Sequence, residues 1–143
     1  MKDISTKLNL LLFSLEKKWE KLCEIKIHTE SQRQMIVKSE QSFLELYRKK
    51  QSLMEEIDRL NQGFSSVSKE LMPVLQEHSE KYKEQIKQMQ GLIEKIGQIE
   101  AEILDLEKKN FVEYRLKYQK KDEISGGRLP REEVSKKYKQ MNQ

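Results

Sequence analysis

Residues 8–25 read LNLLLFSLEKKWEKLCEI, and their spacing decides the fold class. Leu8, Leu11, Leu15, Leu22 and Ile25 follow steps of three and four residues, with Lys18 at the one polar step. A mean step of 3.5 residues keeps one narrow apolar seam turned toward a neighbouring helix. The register extends back to Ile4 and forward through Thr29, Gln32, Ile36, Ser39, Phe43, Leu46, Lys50, Leu53, Ile57, Leu60, Phe64 and Val67 to Leu71. Only Lys18, Thr29, Gln32, Ser39 and Lys50 interrupt it with polar side chains. A seam of this length needs another helix along much of its course. The residues point to a protein that pairs, not one that transforms a substrate.

Asp3 or Ser5 supplies an N-cap for the first helix. Downstream, Asn61-Gln62-Gly63 followed by Ser65-Ser66 gives a local break signal, and Pro73 gives another. Phe64, Val67 and Leu71 stay in register across Gly63, whereas Leu71 to Leu75 repeats a step of four beside the proline. Two such steps make a stutter, and proline removes a helical hydrogen bond. The spacing therefore favours a kink or short break at 68–73 over a tight hairpin at 63–66. Beyond it a second seam runs through Leu75, His78, Tyr82, Gln85, Met89, Leu92, Ile96, Ile99, Ile103 and Leu106 to Asn110. It is richest in β-branched residues at Ile96, Ile99 and Ile103. Past Leu106 the apolar positions shift to Phe111, Tyr114 and Tyr118, with fraying expected by Lys121, a loop at Ser125-Gly126-Gly127 and a short helix opened by Pro130.

The reading is thus an extended all-α coiled coil: two long helical segments, broken or kinked near Gly63–Pro73, plus a short C-terminal helix. The expected divisions are 1–67, 68–121 and 122–143. An unbroken 68-residue helix would span roughly 100 Å, so a rod is expected.

Composition agrees with long helices. Charged residues make up 36% of the 143, with 5 Gly and 2 Pro, so turn-forming material is scarce. The net charge of +4 lies wholly at the C-terminal end. Through Asn110 there are 19 basic and 19 acidic residues; the rest carries 9 basic and 5 acidic. Cys23 is the only cysteine, so no internal disulfide forms, which fits a reducing, intracellular compartment. The run from Leu8 to Phe13 is too short and too soon charged to be a signal sequence or a membrane span. No membrane association is expected.

Nothing in the pattern assembles chemistry. His28 and His78 lie fifty residues apart without ligand-spaced neighbours. His78 reads as a polar seam position, and Cys23 as a small hydrophobe beside Leu22. Gly126-Gly127 lacks the strand and the Lys-Ser/Thr of a phosphate loop. No catalytic, metal, cofactor or small-molecule site is expected. Trp19 stands one turn past Leu15, outside the strict seam, and reads either as a flank of a simple pair or as the mark of a three- or four-helix interface. Arg115, Lys117, Lys120, Lys121, Arg128, Arg131, Lys136, Lys137 and Lys139 interleave with Tyr114, Tyr118 and Tyr138. That end reads first as a solvated face, and second as a weak contact for nucleic acid or an acidic partner.

Gln85, Gln90-Gly91, Glu94-Lys95 and Tyr114-Arg115-Leu116-Lys117-Tyr118 resemble the N-terminal helical region of a coiled-coil protein of the synaptonemal-complex central element. The likeness is best over residues 85–118; upstream it rests on Leu10, Leu11, Leu12 and Glu55-Glu56-Ile57-Asp58. The resemblance implies a meiotic nuclear protein whose first seam, Leu8 to Ile25, pairs with another central-element coiled coil. The expected function is a non-catalytic scaffold in a filamentous assembly, pairing with a coiled-coil partner or itself. Its expected pairing residues are Leu8, Leu11, Leu15, Trp19, Leu22, Ile25, Ile36, Phe43, Leu46, Leu53, Ile57, Leu60, Met89, Leu92, Ile96, Ile99, Ile103 and Leu106. A spindle, kinetochore, ciliary or secretion-apparatus subunit fits the same seam, with a cytoplasmic or cytoskeletal location. A nucleic-acid adaptor using 111–143 is the reading from another class.

Overall fold

The computed structural model describes residues 4–119, and among these the regular structure is entirely helical. Helix α1 spans Ile4–Lys38, α2 spans Glu40–Glu77 and α3 spans Lys83–Tyr114, continued by a π-helical turn at Arg115–Gln119. The expectations placed on residues 120–143 (the Gly-Gly loop, the short helix and Lys120, Lys121, Arg128, Lys136 and Lys137) lie outside the described residues.

The first reversal occurs at one residue. Ser39 is extended (φ −163°, ψ 111°), its amide donates to Met35 O at 2.8 Å, and its Oγ accepts from the Ser42 amide at 3.2 Å. The same residue therefore closes α1 and caps α2, with Glu40 favourably placed in the first turn of α2. Lys21 Nζ then meets Glu56 and Lys7 Nζ meets Glu70, each at 3.2 Å, so α2 runs antiparallel to α1. The second reversal, at 78–82, sends α3 back parallel to α1, as Lys26–Glu102 at 2.8 Å and Arg33–Glu113 at 2.9 Å record. The result is an up-down-up three-helix bundle. Helix α1 packs along its length on both others, whereas α2 and α3 reach each other mainly through long side chains.

This corrects the expected architecture in three places. Among the described residues there are three long helices where two were expected. The breaks fall at Ser39 and 78–82, while α2 passes through Gly63 and Pro73. The boundary drawn at 67/68 lies inside α2. Gly63 and Pro73 are both exposed, and a Cβ at Gly63 would meet nothing within 4 Å. The helix loses local propensity there but no packing. The carbonyl that Pro73 leaves unbonded, that of Lys69, belongs to an exposed residue. Instead of a rod of roughly 100 Å, the longest described helix holds 38 residues, about 57 Å at 1.5 Å per residue.

The core runs the length of the bundle, from Leu8, Leu11 and Leu75 through Leu22, Ile57 and Ile103. A smaller cluster of Ile36, Phe43 and Tyr114 closes the end where α1 meets α2. Trp19 is half-buried against α3, with Lys95 Nζ 4.4 Å from the ring centroid. It marks the wider, three-helix interface.

Candidate interaction site: a polar layer and an apolar groove

The pairing residues read from the sequence are turned toward helices of the same chain. Leu8, Leu11, Leu15, Leu22, Ile25, Ile36, Phe43, Ile57, Met89, Ile96, Ile99 and Ile103 are buried; Trp19, Leu46, Leu53, Leu60, Leu92 and Leu106 are half-buried. The polar interruptions divide into three groups. Ser39 is the cap just described. Lys18 approaches Glu100 of α3 to 4.0 Å. Thr29, Gln32 and Lys50 are fully buried, and Thr29 and Lys50 meet on one level of the bundle.

That level is a connected polar layer. Lys50 Nζ donates to Glu107 Oε1 at 2.6 Å and to Thr29 Oγ1 at 3.2 Å. The Thr29 hydroxyl donates to Ile25 O at 2.7 Å, and Asn110 Nδ2 donates to Thr29 O at 2.9 Å. Gln32 Nε2 donates separately, to Phe43 O at 3.0 Å, toward the end of α1. Both charged side chains of the pair are 0% exposed. A buried charge persists only when paired and hydrogen-bonded, and here α2 brings the cation, α3 the anion and α1 the hydroxyl. Glu107 escaped the sequence reading, which followed Leu106. Its signal was spacing: it stands four past Ile103 and three before Asn110.

An aromatic clamp lies below this layer. Phe43 and Tyr114 stack at 4.9 Å, and Tyr118 tilts against Tyr114 at 4.8 Å. Tyr114 Oη donates to Glu40 at 2.7 Å, and Tyr118 Oη to Ile36 O at 2.7 Å; Lys117 Nζ donates to Val37 O at 2.6 Å. The last carbonyls of α1 have no partners within their own helix. The π-helical turn delivers Lys117 and Tyr118 to two of them. Arg115 lies 5.4 Å from the Phe111 ring centroid. The described part of the basic end thus makes contacts within the chain.

Toward the opposite end, α1, α2 and α3 leave a groove of about 280 Å³. Leu60 and Phe64 form one wall, Ile93, Ile96 and Gly97 the other, with Leu15, Ser14 and Lys18 on the floor and Glu100 at the edge. Burial pushes the Glu100 carboxyl above the usual range, and Lys18 opposes the shift. Exposed apolar side chains occur in both halves of the bundle: Leu10, Phe13, Met72 and Ile93 in the groove half, and Ile27, Val37, Val112 and Leu116 in the other.

The other sequence candidates are dispersed. His28 is half-buried, its pKa lowered by burial and by Lys49. His78 is exposed at the end of α2, not in the core as its seam position suggested. Cys23 packs half-buried on the core, and burial raises its thiol pKa. Among the described residues no three His, Cys, Asp or Glu side chains gather as a metal site. No described helix is long and apolar enough to cross a membrane. No family model, curated protein or solved structure matches the chain.

Proposed function

We propose that this chain is a non-catalytic helical interaction protein, a scaffold element that receives a partner helix in the groove between α2 and α3. The observation that carries this reading is the groove itself, lined by Leu60 and Phe64 of α2 and by Ile93 and Ile96 of α3, with Phe64 half-buried and Ile93 50% exposed. An apolar groove parallel to helix axes suits the apolar face of another helix, which would complete a four-helix bundle. Its volume of about 280 Å³ lies just below the ~300–1,000 Å³ range of small-molecule sites.

The same geometry argues against acyl-transfer chemistry, although Ser14, Lys18 and Glu100 share the groove. The groove lies along helix interiors, where backbone amides are spent on helical hydrogen bonds. Acyl transfer needs amides free to hold an oxyanion. The setting in a meiotic chromosome assembly is supported by the resemblance over residues 85–118 alone. A spindle, kinetochore, ciliary or secretion assembly is the alternative of the same class.

A photo-crosslinking side chain at Ile93 tests the groove in cells. Adducts with a helical protein, abolished by Phe64→Glu while helicity and melting are kept, are expected. Adducts with nucleic acid only, or protein adducts indifferent to Phe64→Glu, would refute the reading. Localisation of the tagged chain along paired chromosome axes tests the meiotic setting; absence from them in meiotic cells removes it.

A further inference from the structure

The two reversals of the chain are built differently. Ser39 has an extended backbone and a side-chain cap. The second reversal, His78-Ser79-Glu80-Lys81-Tyr82, contains no Gly, Pro or Asn. Tyr82 makes no side-chain cap for α3, and α2 has no basic residue in its last turn. Backbone angles at its ends (His78 φ −122°, ψ 38°; Tyr82 φ −110°, ψ 20°) lie on the right-handed side of conformational space. One hydrogen bond, Lys81 N–H to His78 O at 3.1 Å, spans it. The seam also continues through it, with Leu75 and Tyr82 buried in the same core on either side. A stretch with no helix breaker, helical periodicity and no stop signal is here held as a turn.

We propose that residues 78–82 are a hinge, and that two copies of this chain exchange α3 to form a domain-swapped dimer. In that form α2 and α3 join into one helix of roughly 110 Å. The cross-helix contacts specify how the copies meet. Lys50–Glu107 and Phe43–Tyr114 are each symmetric about the bond between His78 and Ser79. Two straightened helices, antiparallel about a twofold axis at that bond, therefore remake both contacts between chains. Helix α3 of one copy lies parallel to α1 of the other, as in the closed form, and the arrangement closes as a dimer. Exchange keeps the contacts of α3 with α1 and adds helical hydrogen bonds through the hinge. The α1–α2 hairpin, pinned by Ser39, stays intact.

The buried pair provides the test. A Lys50→Glu chain sets a second carboxylate against Glu107, and a Glu107→Lys chain sets a second ammonium against Lys50. Each alone, closed or self-swapped, buries two like charges. Refolded together, the two chains form one bundle in which the introduced carboxylate meets the introduced ammonium. The other bundle keeps the native Lys50–Glu107 pair. Both pairings arise only if α3 is exchanged. Light scattering is expected to give twice the 17.2 kDa chain mass for the mixture, with cooperative unfolding that neither variant shows alone. A mixture that behaves as the sum of its parts overturns the proposal. For the native chain, refolding at high concentration is expected to yield the dimer, and two glycines inserted between Ser79 and Glu80 to shift it to monomer. A native chain monomeric at every concentration, or a dimer unmoved by the insertion, would overturn it equally.

Discussion

Replacing Lys50 with Met removes one ammonium group and leaves a stem of similar length in the same place. Nothing in the native site lets the remaining charge reach water, because the Lys50 and Glu107 side chains are both 0% exposed. Glu107 loses a 2.6 Å charge-assisted hydrogen bond, and Thr29 Oγ1 loses a donor at 3.2 Å. Stranding one member of a buried pair costs about 3–5 kcal/mol, against a total of roughly 5–15 kcal/mol for a folded domain. For a chain of this length that lowers the melting temperature by about 12–20 °C. The double variant Lys50→Met, Glu107→Leu removes both charges together and is expected to regain most of the loss, or exceed native stability by about 1–4 kcal/mol. Urea unfolding followed by circular dichroism measures both. A Lys50→Met cost below about 1 kcal/mol would mean that the pair is solvated like a surface bridge, and the polar layer would have to be abandoned. A double variant no better than the single one would place the cost in packing instead of charge.

Gly63→Ala is expected to stabilise the chain by about 0.8–1 kcal/mol, because the new Cβ meets open space in mid-helix; destabilisation in the same urea assay would place a break at Gly63 after all. Ser39→Ala removes the Oγ that holds the Ser42 amide and should cost ~1 kcal/mol, with Ser39→Gly costing only a few tenths. The Glu100 carboxyl titrates above its usual range, so the folded state binds that proton more tightly than the unfolded chain. Its contribution favours folding at acid pH and is lost as pH rises through the folded value; Glu100→Gln should therefore stabilise at neutral pH and flatten the dependence. His28, lowered by burial, acts in the opposite sense. Stability is lost as pH falls below the ordinary histidine value, and His28→Gln should abolish that loss in melts between pH 5 and 7.

The helical class and most of the core were legible because burial here follows the three-and-four rhythm directly. Leu8, Leu11, Leu22 and Ile25, all within the opening stretch, are at most 2% exposed. The reversals were not legible, for a physical reason. Both preserve the phase of the seam: Ile36, Ser39 and Phe43 keep steps of three and four across the first, and Leu75, His78 and Tyr82 across the second. A pattern that counts residues cannot register a change of direction that costs no residue. Gly63 and Pro73 were the loudest local signals, yet both sit on the solvent side of α2, where a helix tolerates them. The quieter signal, Ser39 followed by Glu40, was the one that marked a helix start. Polar seam positions were visible one by one, but their meeting at a single level required the fold. Sequence distance hid it: Thr29, Lys50 and Asn110 come from three different helices.

The polar layer also explains how one repeating seam adopts one register. A purely apolar heptad pattern would allow α3 to slide by seven residues with little loss. Sliding one way sets Lys50 against Glu100, which still offers a carboxylate, but carries Glu107 onto Phe43, a ring with 0% exposure. Sliding the other way carries Glu107 to the place of Glu100, near Lys18, and leaves Lys50, 0% exposed, against the Tyr114 ring. Either slip also pulls Asn110 off Thr29 O, the bond that fixes α3 against α1. Each misregistered state thus buries at least one unpaired charge, at several kcal/mol. The network that a hydrophobic replacement would make more stable is the one that leaves α3 a single place to dock.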